Sequence, residues 1–518
     1  MTGNDNHSAT GADAPPMRAT ATAPADWFAR LTHTLTHAQA RYLAVDGGAG
    51  AQVFAALAGR SPHLRAVATP RHADLLIVVG PISQRLAPAV AELARALPHP
   101  AHALALDLPD ASAGFAFPGQ VAIERILPNI MRIPATPDAA LAAALHPDAL
   151  PNLTVSDAFT LEPHEIALPP SGEREIATEL AVLSLGPLQP FTAGPLRLWL
   201  VCDGEQVLSC LVEAGYAARG VAEAMLGAGW RAGVELARQL DPLAPIVGQL
   251  AYTQALEQLQ HMQITPPVFH ARFAALAIER AVNHLWWATN FFRLLDEPRL
   301  VERAYALAQT LAALTPRLWP EPPARWIVPQ GAAPQPDTAT LAEITRLAET
   351  VETFARRVRS NRLLRLRAAG IGRLTQQRLI AAHVSGPAVF ASVRSGDDVR
   401  GRLLARLELA AAGLGSAAHI VAANPGASGE PGASVAPSER APRWDAPAGE
   451  ASATVDGPRG KLGVRLVSDG GERPTLVEWQ RPSAALLPLL PELLAGQKLA
   501  DAEIIVASLD LAMAEADG

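Results

Sequence analysis

The sequence predicts a chain of mixed class, α/β and α+β: an N-terminal parallel-sheet α/β domain followed by a mainly helical domain with a small β-hairpin region. Three observations carry this. Short apolar runs alternate with helical patterns between about residues 27 and 146, as strands joined by crossover helices do. A turn-forming Asp203-Gly204 lies between two apolar runs at 195–213, a hairpin signal. Long Ala/Leu/Arg stretches follow from 216, with apolar residues at i, i+3, i+4 and i+7.

Residues 1–26 are polar, Ala/Pro-rich and aperiodic, and read as a disordered tail. In the first domain, 27–146, RYLAVD (41–46) is a strand running into glycines, and 51–59 has a helical pattern. ADLLIVVG (73–80) is continuously apolar, which suits a strand buried on both faces. An amphipathic helix is expected over 84–97, a third strand at AHALALD (101–107) and a closing helix at DAALAAALH (138–146). A Pro-rich joint (Pro151, Pro163, Pro169, Pro170) opens the second domain, 151–518.

That domain starts with the hairpin and continues into helices, of which 271–295 is buried on a wide face. A Pro-rich insertion covers 316–337, and helices are expected over 338–367 and 397–422. Residues 423–452 are Gly/Pro/Ser/Ala low-complexity sequence, read as a flexible insertion. A strand pair around 453–479 and a terminal helix–strand unit close the chain.

The 518 residues are 49% hydrophobic and 18% charged, with net charge −7, so no basic footprint for nucleic acid exists. No uninterrupted apolar run reaches the roughly 18–20 residues of a spanning helix. The N-terminus, MTGNDNHSATGADAPP, lacks a positive-then-apolar signal pattern. Two cysteines, Cys202 and Cys210, cannot build a disulfide framework and read as reduced residues of a cytoplasmic protein.

Several motifs run together along the chain. GPLQPFTAGPLRL (186–198), Gly215-Tyr216-Ala217-Ala218-Arg219-Gly220, RAAGIGRL (367–374), SGPAVFAS (385–392), GDDVRGRLLARLE (396–408), VDGPRGKLGVRLVSDGGERP (455–474) and the ending RPSAALLPLLPELLAGQKLADAEIIVASLDLAMAEAD (481–517) resemble one large subunit. It is the one shared by respiratory complex I (the D-type subunit of NADH:quinone oxidoreductase) and membrane-bound group 4 [NiFe] hydrogenases. RHADLLIVVGPISQRLAP (71–88) and its surroundings resemble the iron–sulfur small subunit of the same assemblies. The chain is therefore similar to a fusion of the two.

The resemblance implies metal sites whose ligands are missing here. Two family histidines fall on Gln189 and Ala193. A nickel Cys-x-x-Cys, or the Asp-Tyr that faces quinone in complex I, falls on Asp241-Pro242-Leu243-Ala244. The C-terminal Asp-Pro-Cys-x-x-Cys falls on Asp510 to Glu515, with Ala512 and Glu515 at the cysteine positions, and an acid there is the complex I pattern. The four cluster cysteines fall on Gly47, Gly50, Leu108 and Ile133. Clusters and nickel are held by thiolates, so no cofactor is expected. Arg219, Arg459 and Asp510 remain as polar candidates at the seam between the two parts. Either they form a structural ion pair or they line a ligand site.

Other candidates have plainer readings. DGGAGA (46–51) could cradle a phosphate at a helix N-terminus, but without Gly-x-Gly-x-x-Gly spacing its glycines read as space-filling. His33 and His37 sit at i, i+4 with no third ligand near in sequence, and His72 belongs to a strand entry. His284 and Trp286-Trp287 read as packed core. The resemblance implies a peripheral-arm subunit on the cytoplasmic side of the cell membrane, partnered by antiporter-like membrane subunits. A connector without electron transfer is the favoured function. The alternative is an NADH- or quinone-linked oxidoreductase subunit taking electrons from a partner, and nucleotide sensing at Gly47–Gly50 is the third.

Overall fold

The computed structural model of the chain describes residues 40–60, 64–108, 117–136, 139–140, 143, 150–161, 180–188, 191–331, 334, 336–386, 396–423 and 444–518. The tail read at 1–26, His33, His37, Gln189, most of 138–146, most of the motif at 385–392 and residues 424–443 of the insertion lie outside the described residues.

Strands β1 (Ala40–Asp46), β2 (Leu64–Ala66), β3 (Leu75–Val79), β5 (His102–Asp107) and β7 (Met131–Pro134) form one parallel sheet in the order β2-β1-β3-β5-β7. The two-residue strands β4 (Ile82–Ser83) and β6 (Gln120–Val121) pair separately. β3 shows why its sequence is unbroken LLIVV. Leu76 and Val78 join one apolar cluster with Leu43, Val45 and Ala103, while Leu75, Ile77 and Val79 join a second with Tyr42 and Leu104. Alternate side chains point to opposite faces and both faces are covered. Each such side chain contributes about 1.5–3 kcal/mol of burial. The order of the sheet reverses at β1 and β3, so the loop after β1 stands at the switch point where open α/β sheets take ligands.

The second part opens with an antiparallel sheet, β8 (Ala181–Leu185), β9 (Arg197–Asp203) and β10 (Gln206–Glu213), ordered β10-β9-β8. The hairpin turns where expected, with Gly204 at φ +57°. β8 is a third strand that the sequence did not announce. Cys202 and Cys210 are both buried and free. Helices Pro245–Leu259, Pro266–Leu294, Pro298–Leu318, Thr338–Ser360 and Val399–Ala423 pack around the largest apolar core. The helix expected over 338–367 is split at Asn361, whose side-chain Oδ1 accepts from the amides of Leu363 (2.9 Å) and Leu364 (3.2 Å) and so caps a second helix, Arg362–Ala368. The stretch read as an insertion from 316 begins inside a helix, because Pro316 falls in the last turn of Pro298–Leu318, and it contains the short helix Pro323–Trp326.

Among the described residues one helix, Val399–Ala422, is long and apolar enough to cross a membrane. Leu403, Leu404, Leu407 and Leu414 bury it in the large core, and its Arg402 and Arg406 bond inside the protein, so it is a core helix. The C-terminal strands are three rather than two: β11 (Gly449–Asp456), β12 (Lys461–Ser468) and β13 (Leu476–Gln480), all antiparallel. β11 starts at Gly449, inside the stretch read as insertion up to 452, because its alternating residues bury Ala451 and Ala453 against the core. The expected terminal strand is absent. Helices Leu499–Ala507 and Met513–Asp517 end the chain, and Ala512 makes only a single parallel bridge to Ala193.

Candidate functional site

The loop after β1 is tied to its neighbours on every side. The Gly47 amide donates to Val79 O at 2.9 Å, joining the ends of β1 and β3. Asp46 Oδ1 accepts from the amides of Gly48 (2.8 Å) and Gly50 (2.7 Å). These amides are the donors that a phosphate would need, and the chain has already used them. Burial raises the Asp46 pKa, opposed by the same amide hydrogen bonds. The loop has no room for side chains: a Cβ at Gly47 would lie 2.1 Å from Pro81 O, and one at Gly50 2.8 Å from Val79 Cβ.

The chain's own C-terminal segment covers this loop. A Cβ at Gly48 would lie 3.1 Å from Ala514 Cβ. The Ala193 amide donates to Leu511 O (3.0 Å), and the Met513 amide to Ala193 O (2.8 Å). Asp517 then accepts from the amides of Gly215 (2.8 Å) and Ala217 (2.7 Å), within the Gly-Tyr-x-x-Arg-Gly motif. Across the same junction Arg85 donates to Glu213 and Ala214 O and stacks 4.8 Å from the Tyr216 ring.

Beside this closure lies a buried ionic network. Arg459 donates from Nη1 to Asp241 Oδ2 and from Nε to Asp510 O at 3.0 Å, and its Nε lies 3.7 Å from Asp510 Oδ1. Arg406 pairs with Asp510 at 3.6 Å, too long for a hydrogen bond, and donates to Ser508 O (3.1 Å) and Leu509 O (2.9 Å). Arg402 bonds Ser508 Oγ and Gly372 O. Asn283 bridges back, donating to Leu243 O at 2.7 Å. Glu279 accepts the amides of Ile246 (2.9 Å) and Val247 (3.3 Å) at the start of Pro245–Leu259.

Burial sets the electrostatics. It pushes Glu279 up to about 8, helped by Asp241, and Glu515 up to about 7. It raises Asp510 against the pull of Arg459 and Arg406. Burial lowers Arg402 to about 9 with the help of Arg406, and Arg219 to about 10. Arg459 is opposed by burial, yet four surrounding acids hold it firmly protonated. His284 is pushed well below its ordinary range by burial and by Arg406, Arg280 and Arg459, so it is a neutral side chain inside the helix.

A cavity of about 510 Å³, counting the part open to solvent, lies at the seam between Ala51 and Gln52 of the first part and Thr192, Trp286, Trp287 and Asn290 of the second, with Arg459 and Asp510 on its wall. Trp287 Nε1 donates to Ala507 O (2.9 Å), and Arg406 stacks over its ring at 4.7 Å.

The sequence candidates fall as follows. Arg459, Asp510 and Asp241 meet. Arg219 is buried nearby but forms no ion pair among the described residues: it donates to Gln239 O and stacks 5.3 Å from Phe117. Ala193 and Ala512 touch through their bridge. Glu515 accepts the Ser483 amide at 2.8 Å. Pro242 and Ala244 belong to the turn leading into Pro245–Leu259. Gly47, Gly50, Leu108 and Ile133 all stand at the C-terminal edge of the parallel sheet, where Leu108 and Ile133 pack into its apolar cluster. Glycine, leucine and isoleucine offer iron nothing, and alanines with two acids offer nickel no thiolate, so the residues present do not fit either centre. Among the described residues no group of three His/Cys/Asp/Glu is placed to hold a metal. His72 meets Thr69 Oγ1 at 3.1 Å.

Sequence reasoning missed Arg402, Arg406, Glu279 and Asn283. Arginines at i, i+4 on an otherwise apolar helix, as at 402 and 406, were the available signal.

Residues 439–518 match the family model described as respiratory-chain NADH dehydrogenase, 49 Kd subunit. The D-type subunit of NADH-quinone oxidoreductase from Geobacillus kaustophilus (strain HTA426) is 26% identical over 381 residues, covering 66% of this chain and all of that protein. The chain is similar to the D-type subunit of complex I. One of the D-type subunits of Koribacter versatilis (strain Ellin345) is 24% identical over 388 residues, 65% of this chain and 95% of the relative. In three dimensions the chain shares the fold of one in the membrane-bound sulfane sulfur reductase (MBS), an archaeal respiratory membrane complex, with TM-score 0.57, 22% identity, and coverage of 67% of this chain and 100% of that one.

Proposed function

We propose that this protein is a redox-inert, fused peripheral-arm subunit of a complex I/hydrogenase-like membrane assembly. It would act as a connector or coupling module on ion-translocating, antiporter-like subunits at the inner face of the cell membrane. The observation that carries the reading is the closed loop after β1. Where a related assembly would bring thiolates to a cluster, Gly47 and Gly50 admit no side chain and Gly48 packs on Ala514. Relatives matched along their whole length leave about a third of this chain over, and a separate parallel sheet at the N-terminal end supports a fusion. Transmitting motion needs rigid contact between the parts, which the bonds of Arg85 to Glu213 and Ala214 O and of Ser83 to Tyr216 O provide.

The deciding experiment is iron, nickel and flavin analysis of the native assembly isolated from membranes. A colourless complex holding this chain with antiporter-like subunits is the expected result. Stoichiometric iron bound by this chain would sink the proposal. A second reading, an oxidoreductase subunit that takes electrons from a partner and passes them to quinone, is favoured by one feature, the seam cavity lined by Trp286 and Trp287. It requires quinone in the extracted complex and turnover with NADH or a partner's reductant.

A further inference from the structure

The acidic chain carries one basic apolar face. From Thr353 to Gly396 the sequence has nine arginines and neither aspartate nor glutamate, whereas the chain as a whole has 50 acidic and 43 basic residues; Arg359 and Arg378 are answered from other segments, by Glu408 and Glu492. Helix Arg362–Ala368 turns Leu364 and Ala368 inward and exposes Leu363 (51%) and Leu366 (69%). Leu366 is the most exposed large apolar side chain among the described residues, and Ile380 (56%), on helix Gln376–Ala381, is next. Arg362 and Arg365 are exposed beside these leucines and make no ion pair among the described residues. A solvated helix face has no use for leucines at i, i+3 flanked by unpaired guanidinium groups. An interfacial helix uses both, the leucine entering the acyl boundary and the arginines meeting phosphate oxygens.

We infer that the face built from Arg362, Leu363, Arg365 and Leu366 docks on anionic phospholipid headgroups. Charge complementarity selects the occupant. Headgroup phosphates supply diffuse negative charge, with an apolar layer beneath that accepts Leu366. The inference rests on the peripheral-membrane reading above and names the surface that touches the bilayer.

The test is flotation of the purified full-length chain with vesicles of phosphatidylcholine alone or mixed with phosphatidylglycerol. Binding to the acidic vesicles only, lost as salt rises, is expected. R362Q/R365Q should weaken partitioning roughly 30-fold and L366S roughly tenfold. Both variants change exposed side chains, so unchanged melting curves confirm their folding. No flotation with acidic vesicles at low salt overturns the inference, as does equal binding to neutral vesicles or binding that survives both variants. If vesicles are ignored while R362Q/R365Q detaches the chain from native membranes, the face meets an acidic protein and the lipid assignment is overturned. The two readings fail separately. A chain that co-purifies with membrane subunits yet ignores vesicles defeats only this inference, and one that binds vesicles without any membrane-subunit partner defeats only the connector reading.

Discussion

Arg459 and Asp241, 218 residues apart in sequence, form a hydrogen-bonded ion pair whose side chains are 3% and 5% exposed. Burying two charges is worthwhile only when their remaining donors and acceptors are met, and here Asp510, Asn283 and the Leu243 amide do so. Arg459→Met is expected to destabilise the chain by about 3–5 kcal/mol because Asp241 is left buried and unpaired. Denaturant titration reads this directly. Arg459→Met combined with Asp241→Leu should recover much of the loss, and strict additivity of the two changes would show that the pair is not coupled.

Stability should fall as pH rises. The folded state holds protons on Glu279 up to about pH 8 and on Glu515 up to about pH 7, against an ordinary 4.5 for each. Between about 4.5 and 7 these two groups hold two protons that the unfolded chain releases, and below about 6.5 neutral His284 offsets one of them, so within that range the folded chain keeps a net excess of bound protons. The stability the two acids provide is full below 4.5 and is lost as pH climbs through the folded values, at about 1.4 kcal/mol per pH unit for each group inside its window. Melting curves from pH 5 to 8 should show the decline, and Glu279→Gln should flatten its upper part. A melting temperature that climbs steadily over this range contradicts the assignment.

Two glycines should respond very differently to alanine. At Gly204 a Cβ meets nothing within 4 Å, so the cost is only that of its φ of +57°, about 1 kcal/mol. At Gly47 the added carbon would lie 2.1 Å from Pro81 O, so strand ends must separate and the loss should exceed about 3 kcal/mol. Equal melting temperatures for the two variants would mean that the loop is looser than described.

Asp517 should be worth more than its place near the chain end suggests. Asp517→Asn puts an amide donor against one of two backbone donors, at Gly215 or Ala217, for a cost of about 1–3 kcal/mol. Limited proteolysis should then cut faster around residues 213–220. Unchanged digestion would place the closure elsewhere.

Much of this was legible in the residues. LLIVV at 75–79 could only be a strand covered twice, and the hairpin declared itself through Asp203-Gly204. Leu64–Ala66 and Met131–Pro134 were not legible, since three or four residues carry no period, and β8 buries no residue fully, with only Leu183 and Leu185 leaning on the core. Asn361 hid a helix boundary because its cap acts through one side-chain oxygen rather than through any break in the apolar repeat. Arg219, Arg459 and Asp510 could be named from their motifs. That Asp241 would answer Arg459 while Arg219 went to a backbone carbonyl depends on packing between distant segments.

The contact between Asp517 and Gly215 spans 302 residues of chain. At about 5–20 residues per second, a ribosome needs roughly 15–60 s to make that stretch. The Gly215 and Ala217 amides must wait that long without their carboxylate, a period in which a chaperone has the first opportunity to occupy the position that Asp517 will take.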